Sequence, residues 1–122
     1  MDENNPTLER LKTIQSNLEK LFQRTDSYSD YKDFNTNFEI QCITYQFSIF
    51  IGNAIKESYE DLKHDAPDFR WEELIQFRDK IAHLWKGLNT QLLWKAVQHD
   101  FPLLQTKVLS ILETIEQSLE KQ

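Results

Sequence analysis

The stretch from Ile40 to Leu62 reads IQCITYQFSIFIGNAIKESYEDL. Nine of its apolar residues, Ile40, Ile43, Phe47, Phe50, Ile51, Ala54, Ile55, Tyr59 and Leu62, form a stripe with spacings mostly of three and four. That is the period of a helix that buries one stripe, and no strand-like alternation competes with it. The stretch is therefore predicted to be the central helix of the fold. Gly52 lies inside it, where glycine costs about 1 kcal/mol relative to alanine. Its presence points to a neighbouring helix that approaches closely.

The same period extends to both sides. Upstream, Leu8, Leu11, Ile14, Leu18 and Leu21 form a first stripe, opened by Asn5 as a cap and Pro6 in the first turn. The polar segment Arg24 to Asp33 between the two stripes reads as a loop. Downstream, His64-Asp65-Ala66-Pro67 breaks the central helix. Trp71, Leu74, Ile75, Ile81, Ala82 and Trp85 mark a third helix, with Gly87 as its stop. Asn89 is placed to cap a short fourth helix carrying Leu92, Leu93, Ala96 and Val97. Asp100-Phe101-Pro102 is expected to end that helix and start the last, whose stripe is Leu104, Val108, Ile111, Leu112, Ile115 and Leu119. The prediction is an all-α, up-and-down helical bundle of four to five helices in one domain over residues 1–122.

Composition narrows the function classes. The chain has 122 residues, 39% apolar and 28% charged, a balance typical of a globular domain. With 2 Gly and 3 Pro there is little material for a turn-rich β-sandwich or a Gly-rich phosphate loop. Cys42 is the one cysteine, which leaves no internal disulfide and no multi-cysteine metal site. No apolar run approaches the ~20 residues of a membrane span, and no secretion signal opens the chain. The expected location is the cytoplasm, without membrane association. The net charge of −6 is unevenly spread. Between Arg70 and Lys95 five basic residues face three acidic ones, so this stretch carries +2 on an acidic chain.

The third helix holds the residues with chemistry. Drawn at positions 71, 74, 78, 81 and 85, its stripe includes Arg78. A guanidinium in an apolar row needs a partner, because an unpaired buried charge is costly. That partner is either an acid on a neighbouring helix or an anion such as phosphate. His83 lies five residues on, about 140° around an ideal helix at ~100° per residue. One straight helix cannot aim both at one phosphate, so the helix must end early or a second copy must contribute across a two-fold seam. Asp79 is four residues before His83, close enough on a helix to fix its tautomer and raise its basicity. His64 and His99 belong to no comparable constellation. No zinc-ligand spacing, serine-centred nucleophile motif, Walker lysine or dinucleotide fingerprint occurs, so neither a metal nor a cofactor is predicted. Trp71, Trp85 and Trp94 flank the basic stretch, either as core anchors or as stacking surfaces for bases.

The segment from Arg70 to His83, RWEELIQFRDKIAH, resembles the HEPN superfamily and, within it, the HepT-like proteins. The resemblance continues through Lys86-Gly87-Leu88-Asn89, Leu93-Trp94-Lys95 and Asp100-Phe101-Pro102-Leu103-Leu104. Upstream, Ile51-Gly52-Asn53-Ala54 is similar to a family Ile-Gly-Glu-Ala, with Asn53 in place of the acid. The resemblance implies a metal-independent endoribonuclease toxin that works as a homodimer. Its gene would sit beside a minimal nucleotidyltransferase antitoxin in a type VII (HEPN/MNT) pair. It places the family's arginine on Arg78, its adjacent polar residue on Asp79 and its histidine on His83, with RNA as substrate. It also places the family's AMP-accepting tyrosine on Trp85, whose indole has no hydroxyl to accept a nucleotide. Tyr28, Tyr31, Tyr45 and Tyr59 lie upstream, and none is spaced in sequence to present a hydroxyl beside His83. The alternative is a non-catalytic helical module that binds and escorts a minimal nucleotidyltransferase.

Overall fold

A computed structural model of the protein describes residues 6–83 and 87–121. All the regular structure among these residues is helical. Helix α1 (Pro6–Thr25) buries the predicted stripe Leu8, Leu11, Ile14, Leu18 and Leu21 without exception. It packs against α3 (Phe38–Glu57) and against the last helix, α7 (Phe101–Glu120). On its other side α3 packs against α5 (Trp71–Ile81). These four helices form the bundle expected from the periodicity. Trp71, Phe77, Phe101, Leu93 and Leu104 fill its interior, with the rings of Phe77 and Phe101 edge to face at 5.9 Å.

The departures from expectation have local causes. The segment 24–33, read as a loop, runs into a short helix α2 (Tyr31–Asn35). Asp30 caps it through the Asp33 N–H at 2.9 Å, and Phe34 is fully buried against Tyr28 and Trp94. One turn is too short to show a period, so burial of a single ring decides it. The central stripe is also not one helix. It breaks at Ser58, and α4 (Tyr59–Asp65) continues from there. Arg10 of α1 donates to the Glu57 carbonyl and to Ser58 Oγ, both at 3.3 Å, which binds the break to α1.

Past the predicted break at Pro67, Trp71 Nε1 donates to the Ala66 carbonyl at 2.9 Å and locks the turn into α5. Helix α5 stops at Ile81, four residues short of the predicted Trp85, which with Leu84 and Lys86 lies outside the described residues. Its last turn closes through the Ala82 N–H to the Arg78 carbonyl at 3.1 Å. Asn89 does cap α6 (Thr90–Lys95), accepting from the Leu92 N–H at 3.2 Å. The break expected at Asp100-Pro102 is instead a π-helical turn (Ala96–Asp100) joining α6 to α7 in one continuous helical path. The Phe101 N–H reaches back five residues to the Ala96 carbonyl. Pro102, having no N–H, is accommodated in the first turn of α7.

Phe34 is the contact through which α2 meets the core. Truncating it to alanine should cost about 3–5 kcal/mol. Thermal unfolding of Phe34→Ala is expected to show a clearly lowered midpoint, and an unchanged midpoint would show that α2 contributes nothing to the core.

Candidate active site

The site begins where α3 and α5 cross. A Cβ built on Gly52 would fall 2.5 Å from Cγ of Arg78 and closer still to its Cβ. Only glycine lets the stem of Arg78 lie across α3 at this depth, which is the close approach inferred from the sequence. One residue on, Asn53 Oδ1 accepts from Arg78 Nε at 2.8 Å. The guanidinium is thus fixed at its inner edge by a neutral amide, at the position where the family pattern has an acid. Its Nη1 meets Asp79 Oδ1 at 3.1 Å. Asp79 is half exposed, so this pair is a weak anchor and Asn53 the strong one.

Arg78 does not lie in the apolar row. The buried face of α5 is Trp71, Leu74, Phe77 and Ile81, and Phe77 takes the place assigned to Arg78. Arg78 sits at the flank of that face with its side chain 28% exposed. Nη2 makes no hydrogen bond among the described residues, so the outer edge of the fork is open to an anion.

His83 follows the end of α5 by two residues and is exposed. The angular objection to a shared target therefore falls away, because the offset applies only to a helix that continues. Asp79, turned to Arg78, makes no hydrogen bond or ion pair with His83. The imidazole instead opens into a cleft of about 440 Å³ between the ends of α5, α2 and α6. Tyr31, Asn35, Lys80, Asn89 and Thr90 line it with His83, while Arg78 is not among its lining residues.

Sequence spacing gave no reason to place a tyrosine hydroxyl here, and the cleft corrects that reading. Thr90 Oγ1 donates to Asn35 Oδ1 at 2.8 Å, which uses its one proton. The Tyr31 hydroxyl, 2.8 Å from Thr90 Oγ1, must then be the donor of that pair. Among the described residues no group donates to the Tyr31 oxygen. Tyr31 was hidden because α2 is fixed by contacts from the far side of the chain, not by its own sequence.

The remaining candidates lie elsewhere. Trp71 is core, and Trp94 packs on Phe34 at 5.2 Å between ring centroids. His64 is exposed beside Asp65 at 3.2 Å. Tyr59 donates to Glu72, and that carboxylate, more than burial, raises the phenol above its ordinary range while nearby Lys63 opposes it. Trp85 lies outside the described residues. Among the described residues no three His, Cys, Asp or Glu side chains are grouped to hold a metal ion, and no helix is long and apolar enough to cross a membrane.

A family model described as "Ribonuclease HepT-like" matches residues 14–111, a span that includes the Gly52 crossing, Arg78 and His83. The chain belongs to the HepT-like family. A relative from Thermococcus cleftensis, named "Probable ribonuclease HepT", is 32% identical over 77 residues, covering 63% of this chain and 70% of that one. A relative from Methanocaldococcus jannaschii, named a "Putative RNase", is 25% identical over 88 residues, covering 72% and 76%. A second from the same organism, with the same description, is 29% identical over 79 residues, covering 65% and 72%. No solved structure matches the chain.

Gly52→Ala separates propensity from packing. Alanine should gain about 1 kcal/mol of helix propensity. Displacing Arg78 should cost more, as overpacking at a tight site costs about 1–3 kcal/mol. The expected result in thermal unfolding is a net loss of stability, and a raised midpoint would mean that α5 does not depend on this crossing.

Proposed function

We propose that the protein is an endoribonuclease that cleaves RNA without a metal ion, with Arg78 and His83 as its catalytic residues. The observation that carries this reading is the division of labour at the end of α5. One helix holds a guanidinium rigidly with its outer edge open, and the same helix stops just before an exposed imidazole. RNA supplies its own nucleophile, so the protein needs only to move a proton and stabilise charge.

In this reading His83 removes the proton from a ribose 2′-hydroxyl. The 2′ oxygen attacks the adjacent phosphorus, and the bond from phosphorus to the 5′ oxygen of the next nucleotide breaks. The proton is returned to that 5′ oxygen. The products are a 2′,3′-cyclic phosphate and a free 5′-hydroxyl. Arg78 donates to the phosphate oxygens as negative charge grows on them. Asn53 and Gly52 act as positioning residues that hold the guanidinium, and Asp79 lends partial support from the side.

Within one protomer Arg78 does not line the cleft that His83 lines. Two copies meeting along α5 would bring both pairs to a common groove and double the positive charge around it, so the working form is a homodimer. The neutralising partner is a minimal nucleotidyltransferase, as in a type VII toxin–antitoxin pair. With tryptophan at position 85, that partner acts by covering the groove or by modifying another site.

The test is cleavage of RNA by purified protein in the presence of a chelator. His83→Ala and Arg78→Ala should each lower the rate by about two to four orders of magnitude. Both variants should keep the helical circular dichroism of the parent. Asn53→Ala should lose a smaller factor, in turnover more than in substrate affinity. Undiminished cleavage by folded His83→Ala or Arg78→Ala would remove these roles, and a rate abolished by chelator would remove the metal-free mechanism.

A further inference from the structure

A second cavity, of about 360 Å³, lies on the flank of α5 away from α3, beneath α6 and the π-helical turn. Its floor is apolar and aromatic, with Phe69, Leu74 and Phe77, and its charged lining is Arg70, Lys80 and Lys95 against Glu73 and Asp100. Three cations against two carboxylates leave the lining at +1, on a chain whose net charge is −6. Lys80 lines this groove and the His83 cleft alike, so its ammonium stands between the two at the last turn of α5.

The three cations differ in how firmly they are paired. Lys80 makes no ion pair or hydrogen bond among the described residues. Among the described residues Arg70, just before α5, pairs only with Glu73 in the first turn of that helix, at 3.4 Å, and both side chains are at least half exposed. Lys95 meets the mostly buried Asp100 at 3.5 Å, its own side chain remaining largely exposed. The exposed Arg70–Glu73 pair is worth little, and Lys80 is the rim charge with no partner to displace among the described residues. Phe69 is partly exposed and is held by Trp71, with ring centroids 4.7 Å apart. It offers a flat face at the floor of a basic channel, the combination that binds single strands by backbone charge and base stacking.

We infer that this groove is a binding track for the single-stranded RNA flanking the scissile phosphate. Lys80 holds the phosphate next to the His83 cleft. Arg70 and Lys95 hold those beyond it, and a base stacks on Phe69. The inference rests on the nuclease reading for the identity of its ligand, and it adds the strand type and the path. A duplex would not serve, because its bases are already stacked on one another and cannot enter the floor.

The experiment measures fluorescence anisotropy of a short labelled 2′-O-methyl RNA, which cannot be cleaved because its attacking hydroxyl is blocked. The full chain is titrated at several salt concentrations. Lys80→Ala, Lys95→Ala and Arg70→Ala should each weaken binding by about three- to tenfold and reduce the salt slope by ~0.7 per lost phosphate contact. The charge-reversed double variant Lys80→Glu/Lys95→Glu should abolish binding. Lys20→Ala, an exposed lysine on α1, should bind like the parent. Groove variants that bind like the parent would overturn the track, as would an equal loss in Lys20→Ala, equal affinity for a duplex, or no binding by the parent. A parallel cleavage assay on unmodified RNA keeps the two ideas apart. If the groove variants lose binding while the parent never cleaves, the track stands and the nuclease reading falls. If His83-dependent cleavage proceeds while the groove variants bind normally, the reverse holds.

Discussion

The crossing of α3 over α5 is the constraint on which the rest of the site depends. Gly52 removes the side chain that would separate the two helices, and Arg78 fills the space with the base of its own side chain. The bond from Arg78 Nε to Asn53 then fixes the guanidinium plane. A helix packed this tightly on one flank cannot roll, and its other flank meets α6. The His83 cleft, the basic groove and the buried row Trp71, Leu74, Phe77 and Ile81 all lie on or beside the helix that this contact fixes.

Asn53 changes the electrostatics of this arrangement without changing its shape. A carboxylate there would neutralise Arg78 and leave little charge for a substrate. An amide oxygen orients the fork and leaves its full positive charge in place. The balancing anion is Asp79, which is half exposed and screened by solvent. An incoming phosphate therefore competes with a weak neighbour rather than a buried one.

Most of the bundle was legible because its long helices bury strict stripes. Every residue of the first stripe is in the core, and Asn89 caps the helix it was expected to cap. Gly52 was legible too, since an unfavourable residue in a strong helix implies a packing reason. The misreadings share a cause in tertiary structure. Phe77 and Arg78 are adjacent, and the heptad-like spacing toward Trp85 favoured 78, whereas the helix ends before that spacing could matter. The break at Ser58 depends on Arg10, 48 residues away. The presence of Tyr31 in the cleft depends on Thr90, 59 residues away. No local pattern carries such information.

The π-helical turn at Ala96–Asp100 has a consequence for how the chain tolerates change in length. An α-helix advances about 100° per residue, so the one surplus residue in this turn resets the phase between its two arms. That reset lets α6 face α2, α3 and α5 while α7 turns its apolar side to α1. Deleting a single residue between Ala96 and Asp100 would give a more regular helix and a worse protein. The ladder would close at the α period, and Leu104, Val108 and Leu112 would rotate away from the core they now fill. The irregularity works as a gear between two packing registers, and it ties the geometry of the basic groove to that of the opposite end of the bundle.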